Sequence, residues 1–171
     1  MNIINLDDPN LLITQEVQPD IRPQNGLPVL YNSWEDVGFT SCGQTFVIPK
    51  DFEYDGMSIP RAVRSISGLE QDGPHRLADL FHDWAYEHQG VMPGTSLTLS
   101  RQECDDIHKQ LCLAAGMDKP ICDTIHFFLG LFGQIVWDRH SPSASAVSMM
   151  IPVDFSKATI HDFVQLKLHA Q

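Results

Sequence analysis

The stretch Pro74-His75-Arg76-Leu77-Ala78-Asp79-Leu80-Phe81-His82-Asp83-Trp84-Ala85-Tyr86-Glu87-His88 sets the architecture of this chain. Asp72-Gly73-Pro74 ahead of it makes a helix start, because proline suits the first helical turn. Gly90 behind it makes a stop. The spacing predicts a helix from Pro74 to about His88. With ~100° per residue and His75 at zero, Asp79 falls at about +40°, His82 at −20°, Asp83 at +80° and Tyr86 at +20°. Five polar or ionisable side chains therefore share one arc. Leu77, Leu80, Phe81 and Trp84 occupy other positions and are candidates for a core.

The pattern recurs downstream. Ser100-Arg101-Gln102-Glu103 has the S-x-x-E form of a capping box and opens a second helix, which Gly116 closes. With Arg101 at zero, Asp105 falls at about +40°, His108 at −20° and Cys112 at +20°. A loop of about ten residues between the helices favours antiparallel packing. His82 and Asp83 then face Asp105 across the pair. Asp118-Lys119-Pro120 opens a third, apolar helix reaching about Trp137. A stretch around Ser141, Pro142 and Ser143 follows, and Ser156 caps a last amphipathic helix bearing Ile160, Phe163, Val164 and Leu168.

Before residue 60 the signals are β-like. Leu27–Trp34 and Gln44–Pro49 read as strands, with Gly38, Ser41 and Gly43 as turn residues between them. Residues 1–26 carry Pro9, Pro19 and Pro23 and keep no period, so they read as an extended arm or edge segment. The expectation is an α+β fold: a small β portion before residue 60, a core of three helices, and a C-terminal helix. Residues 27–138 form the core domain, and 139–171 a linker with the amphipathic helix. Deleting residues 1–20 is then expected to leave the core folded.

Composition narrows the function. The chain has 171 residues, 43% of them hydrophobic and 19% charged, an ordinary globular balance. Its net charge of −11 disfavours nucleic acid and anionic membranes, which are bound through Lys and Arg. Such a surface suits solubility, a basic partner or divalent cations. No uncharged apolar run reaches the roughly 18 residues of a membrane span. Thr124–Trp137 comes nearest, interrupted by Gly130 and Gly133. The N-terminus lacks the pattern of a signal peptide. Cys42, Cys104, Cys112 and Cys122 include no CxxC pair. On one helix Cys104 and Cys112 lie about 12 Å apart, too far for a disulfide. Free thiols in a reducing compartment fit this usage.

The polar stripes suit two kinds of role. Histidine is the natural general base near neutral pH, and a carboxylate on its far nitrogen fixes the tautomer. An aspartate beside it can hold a hard cation. The alternative is a buried network linking two helices, with His82–Asp105 as a satisfied pair. An open cleft at His82 would favour the enzyme, and complete burial the network. A zinc site from His75, Asp79 and His82 is conceivable at i, i+4 and i+7, although H-E-x-x-H is absent. His88 reads as a helix-end residue and His126 as a core or interface histidine. Asp55-Gly56-Met57-Ser58-Ile59-Pro60 forms a turn that either tucks Ile59 inward or brings Asp55 and Ser58 to the helix site. Ser58 lacks the context of a nucleophile elbow.

Taken in order, Asp55-Gly56-x-Ser58-Ile59-Pro60-Arg61, His82-Asp83-x-x-Tyr86, Arg101-x-x-Cys104-Asp105 and the apolar helix ending at Trp137 resemble a family. It is a domain-of-unknown-function family of tailed bacteriophages and prophages, with the pattern D-G-x-S-I-P-R, H-D-x-L-Y, R-x-x-A-D-x-x-F. Here Cys104 replaces an alanine, His108 an aromatic residue and Gly130 an arginine. The resemblance spans Val47 to Trp137. It implies a virion- or tail-associated protein, made in the host cytoplasm and carried in the phage particle. Its partners would be other phage structural proteins, in an assembly of several copies. His-Asp-x-x-Tyr with an Asp on the next helix is also distantly similar to calcium-dependent secreted phospholipases. That likeness implies His82, Asp105 and Tyr86 as catalytic residues and Asp83, with Asp55, as ligands of calcium or another divalent cation. The glycine-rich calcium loop and disulfides of those enzymes are absent. The alternatives are a purely structural tail component, or a metal-dependent hydrolase acting on envelope lipid or peptidoglycan.

Overall fold

A computed structural model describes residues 2–13, 21–23, 31–33, 35–54 and 73–140. The strands are β1 (Asn2–Asn5), β2 (Ile21–Pro23), β3 (Tyr31–Ser33), β4 (Val37–Ser41), β5 (Gln44–Ile48) and β6 (Glu53–Tyr54). The helices are α1 (Arg76–Glu87), α2 (Arg101–Ala114) and α3 (Lys119–Arg139). The mixed α+β class expected from the sequence is the class observed. The C-terminal amphipathic helix expected from the sequence and the motif around Asp55 lie outside the described residues.

One sheet has the order β1-β4-β5, and a second has the order β2-β3-β6. β4 and β5 form a hairpin closed by Cys42 and Gly43, with φ of 51° and 70°. Positive φ at both turn residues matches the right-handed twist of the strands. The Asp7 carboxylate accepts hydrogen bonds from both turn amides, at 3.0 and 3.4 Å. β5 alternates, burying Phe46 and Ile48 and turning Thr45 and Val47 outward. Phe39 on β4 stacks on Phe46 at 5.5 Å and meets Phe81 of α1 at 5.4 Å, so the sheet packs on the first helix.

One sequence expectation changes here. Gly38 and Ser41 read as turn residues but belong to β4, the central strand of its sheet. Pairing on both sides, with Ile3 of β1 and Val47 of β5, holds Gly38 in the strand despite its weak strand preference. The start of the chain takes the edge-segment form of its two readings, β1 being an edge strand of its sheet. β1 pairs in parallel with β4, and Ile4, Leu6 and Ile13 are buried in the main core. Ile13 N–H donates to Ala114 O at 2.9 Å, and Gln110 Nε2 donates to Leu6 O at 2.9 Å. An aperiodic segment with isolated apolar residues can still bury them when it runs extended across a core.

The helices follow their local signals. α1 begins at Arg76, two residues later than expected, and ends before Gly90, whose φ is +70°. A Cβ at Gly90 would stand 1.8 Å from Leu99 O, so glycine is required there by space as well as conformation. α2 opens with the full capping box: Ser100 accepts from Glu103 N–H while Glu103 accepts from Ser100 N–H. α3 carries proline in its first turn and buries Cys122, Ile125, Leu129 and Gly133 along one stripe. By length and composition α3 could cross a membrane; that stripe packs against the other helices.

A reciprocal histidine–aspartate cluster between two helices

Nine of the twelve residues of α1 are buried, including Asp79, His82 and Tyr86 of its polar arc. The arc faces α2. His82 Nε2 lies 3.0 Å from Asp105 Oδ1, the contact expected from the two wheels. Three positions earlier on α1, Asp79 Oδ1 lies 3.1 Å from His108 Nε2. One helix ascends as the other descends, so α1 and α2 are antiparallel. Each contributes the same unit, Asp-x-x-His, and each aspartate meets the histidine of the other helix.

The repetition goes further. Asp79 Oδ2 lies 2.6 Å from Nδ1 of His75, four residues before it. Asp105 Oδ2 accepts from the guanidinium of Arg101, four residues before it. Both aspartates are therefore held by an i−4 partner on their own helix and a histidine on the other. The rings of His82 and His108 meet edge to face at 5.1 Å in the middle of the cluster. Tyr86, four residues after His82, donates its hydroxyl to Asp105 Oδ1 at 2.6 Å. Cys112, four residues after His108, sets its Sγ 3.8 Å from His108 Nδ1. Two similar wheels, packed antiparallel, produce an approximate twofold arrangement.

α3 completes the Asp105 half. Arg101 Nη1 also donates to Leu129 O at 3.2 Å. A Cβ at Gly133 would lie 2.5 Å from Tyr86 Oη and 2.9 Å from Arg101 Nη1. Gly133 therefore lets α3 close over these groups, and Trp137 packs edge-on against Tyr86 at 5.0 Å. The sequence placed Arg101 in a motif without giving it this role. Its i, i+4 spacing to Asp105 was the available signal.

The electrostatics differ between the halves. Burial opposes the charged form of His82, but the hydrogen bond to Asp105 and the nearby negative charges of Asp105 and Asp83 outweigh it and push its pKa up to about 9. Burial would also raise Asp105. The donors His82 and Tyr86, with the charge of Arg101, hold it below its ordinary range instead. Tyr86 is pushed well up by burial and by the neighbouring Asp105 carboxylate. For Asp79 the burial effect is overcome by His108 and His75, which lower its pKa to about 2. His108 shifts the other way: burial, with the nearby charge of His82, lowers it despite Asp79. At neutral pH His82 is an imidazolium and His108 a neutral ring donating from Nε2. That tautomer leaves His108 Nδ1 as an acceptor facing Cys112.

Asp83 lies beside His82, its Oδ1 4.0 Å from Nδ1, with its side chain 16% exposed. His82 itself is 3% exposed, and His75, Asp79, Asp105 and His108 are equally buried. Asp55 lies outside the described residues. Among the described residues no group of three His, Cys, Asp or Glu side chains could hold a metal ion. His75, Asp79 and His82 thus do not form the conceivable zinc site. His75 and Asp79 are engaged with each other, which is the physical reason against zinc. His126 is not a core histidine: its Nε2 pairs with Asp106 Oδ1 at 2.6 Å on the surface. His88 caps α1, with Nδ1 2.9 Å from Trp84 O.

No curated protein and no solved structure is similar to the chain at a significant level. A family match covers residues 34–127, more than half of the chain, and contains both Asp-x-x-His units with His75, Arg101, Tyr86 and Cys112. The chain belongs to this family, described as protein of unknown function (DUF1353).

Proposed function

We propose that the chain is a bacteriophage virion- or tail-associated protein with a hydrolase-like site centred on His82. The observation that carries the site is the fixed orientation of its imidazole. Asp105, held by Tyr86 and Arg101, takes the Nε2–H and leaves Nδ1 directed toward Asp83. A base held in this way removes a proton from water at Nδ1, while Asp105 steadies the imidazolium that results. The substrate class suggested by the phospholipase likeness is a carboxyl ester. Since His82 titrates near 9, its basic form grows as pH rises through that value.

A second reading has its own observation. His82 and the four groups around it are buried, which favours a non-catalytic network in a structural tail component. One experiment separates the two. The full chain is assayed on phosphatidylcholine vesicles and on soluble carboxyl esters, with His82→Gln and Asp105→Asn variants checked for folding by circular dichroism. Turnover that rises through pH 9 and disappears in both folded variants supports the site. No turnover by the parent protein, with both variants destabilised, refutes it in favour of the network. Protein analysis of purified phage particles tests the virion assignment separately.

A further inference from the structure

α3 leaves one face unfinished. The helix packs against α2 and α1, and its buried stripe is Cys122, Ile125, Leu129 and Gly133. Only 22% of its most apolar 18 residues is buried. At ~100° per residue a second apolar stripe runs beside the first: Ile121, Phe128, Leu131, Phe132 and Ile135, each half-buried. Phe128 stacks on Phe132 at 6.0 Å, and Phe127, at the edge of the stripe, is 60% exposed. Ile125 and Leu129, with Ile121 and Phe128 against them, form an apolar cluster separate from the main core. Satellite clusters of this kind lie under a further segment of chain. We propose that the second stripe is the docking surface for residues 156–170 of this same chain, the amphipathic helix expected from the sequence, which lies outside the described residues.

Length, place and pattern select this occupant. Residues 156–170 would make a helix about 22 Å long, and the stripe from Ile121 to Ile135 runs about 21 Å. α3 ends at Arg139, so residues 141–155 form the spacer. Fully extended they reach about 50 Å. Packed helices need only about 8–10 Å between axes, so the segment can turn back antiparallel along α3. Ile160, Phe163, Val164 and Leu168 share an arc of about 140° on such a helix. In the antiparallel register Ile160 falls opposite Ile135, Phe163 and Val164 opposite Phe132 and Leu131, and Leu168 opposite Phe128. Two apolar faces of equal length then cover each other.

Other occupants fit less well. A net charge of −11 repels an anionic bilayer, whereas residues 156–171 carry two lysines against one aspartate and meet no such repulsion from the rest of the chain. A second copy must compete with a segment tethered close to the end of α3, whose effective concentration is on the order of millimolar. The docking has a consequence for the cluster. α3 closes over Tyr86 and Arg101 at Gly133, so the segment braces from outside the helix that seals the Asp105 half. This inference does not depend on the hydrolase reading.

The test replaces Phe128 by the photoreactive p-benzoylphenylalanine in the full chain, with folding checked by circular dichroism. Irradiation should link the probe to a peptide within 156–170, at the mass of one chain and in a yield independent of protein concentration. Phe163→Asp, on the apolar arc, should abolish that link, and Gln165→Asp, outside the arc, should leave it intact. A second variant carries the probe at Phe127, whose exposure tolerates the change even where Phe128 does not. A link at the mass of two chains overturns the proposal in favour of a second copy. Loss of the link on adding phosphatidylcholine vesicles, with the chain sedimenting with them, overturns it in favour of a lipid surface. No link into 156–170 from either position overturns it outright.

Discussion

Replacing Gly133 by alanine tests the closure of α3 over the Asp105 half of the cluster. The added Cβ would stand 2.5 Å from Tyr86 Oη and 2.9 Å from Arg101 Nη1. Both atoms are bound to Asp105, so moving either one gives up a hydrogen bond to a buried carboxylate. Overpacking of this kind costs about 1–3 kcal/mol. Surrendering a bond to an ionised group costs about 1.5–3 kcal/mol. Only one of these routes is taken, so the loss is about 2 kcal/mol by either principle. Alanine also recovers about 1 kcal/mol of helix propensity. Gly130 is the matched control: it lies on the same helix, is exposed, and a Cβ there meets nothing within 4 Å. Gly130→Ala should stabilise by up to about 1 kcal/mol and Gly133→Ala destabilise by about the same amount. The gap of about 2 kcal/mol corresponds to roughly 4–8 °C in Tm for a chain of this size. Urea unfolding of the two variants, read by circular dichroism, measures it. Equal stability of Gly133→Ala and Gly130→Ala would show that Tyr86 and Arg101 do not hold Asp105 beneath α3.

Stability should depend on pH at both ends. His82 is raised from 6.5 to about 9, so its contribution is complete below pH 6.5 and is lost as pH climbs from there through about 9. The loss is on the order of 3 kcal/mol. Asp79 is lowered from 3.8 to about 2, so its contribution is complete above 3.8 and is lost as pH falls through about 2. Urea midpoints across pH should decline on both limbs; His82→Gln should flatten the alkaline limb and Asp79→Asn the acid one, and unaltered limbs would contradict the assignments. Ile4→Ala should destabilise by about 2–5 kcal/mol, because Ile4 of β1 is buried in the core. Deletion of residues 1–20 should accordingly compromise folding rather than leave an intact core; a deletion variant with unchanged unfolding would show that β1 contributes little.

The helices and the contents of their polar arcs were legible from local signals in the chain. A capping box, a proline in a first turn and a closing glycine act within a few residues, so Ser100, Pro120 and Gly90 mark boundaries without reference to the rest of the chain. Helical period likewise put Asp79 with His82 and Asp105 with His108 at matching angles, and the short loop implied antiparallel neighbours. From these the His82–Asp105 contact was legible. Its reciprocal, His108–Asp79, was present in the same wheels but appears only once the two helices have a register. Tertiary structure alone decided that both arcs face each other in the core rather than solvent, that Arg101 shares Asp105 with Tyr86, and that Gly133 makes room for both. It also decided the sheet. A parallel partner such as β1 is chosen by a strand more than thirty residues away, and the isolated apolar residues Ile4, Leu6 and Ile13 show no local period that would announce it. Local signals are written in neighbouring residues; pairings across the chain are set by the surfaces that folding brings together.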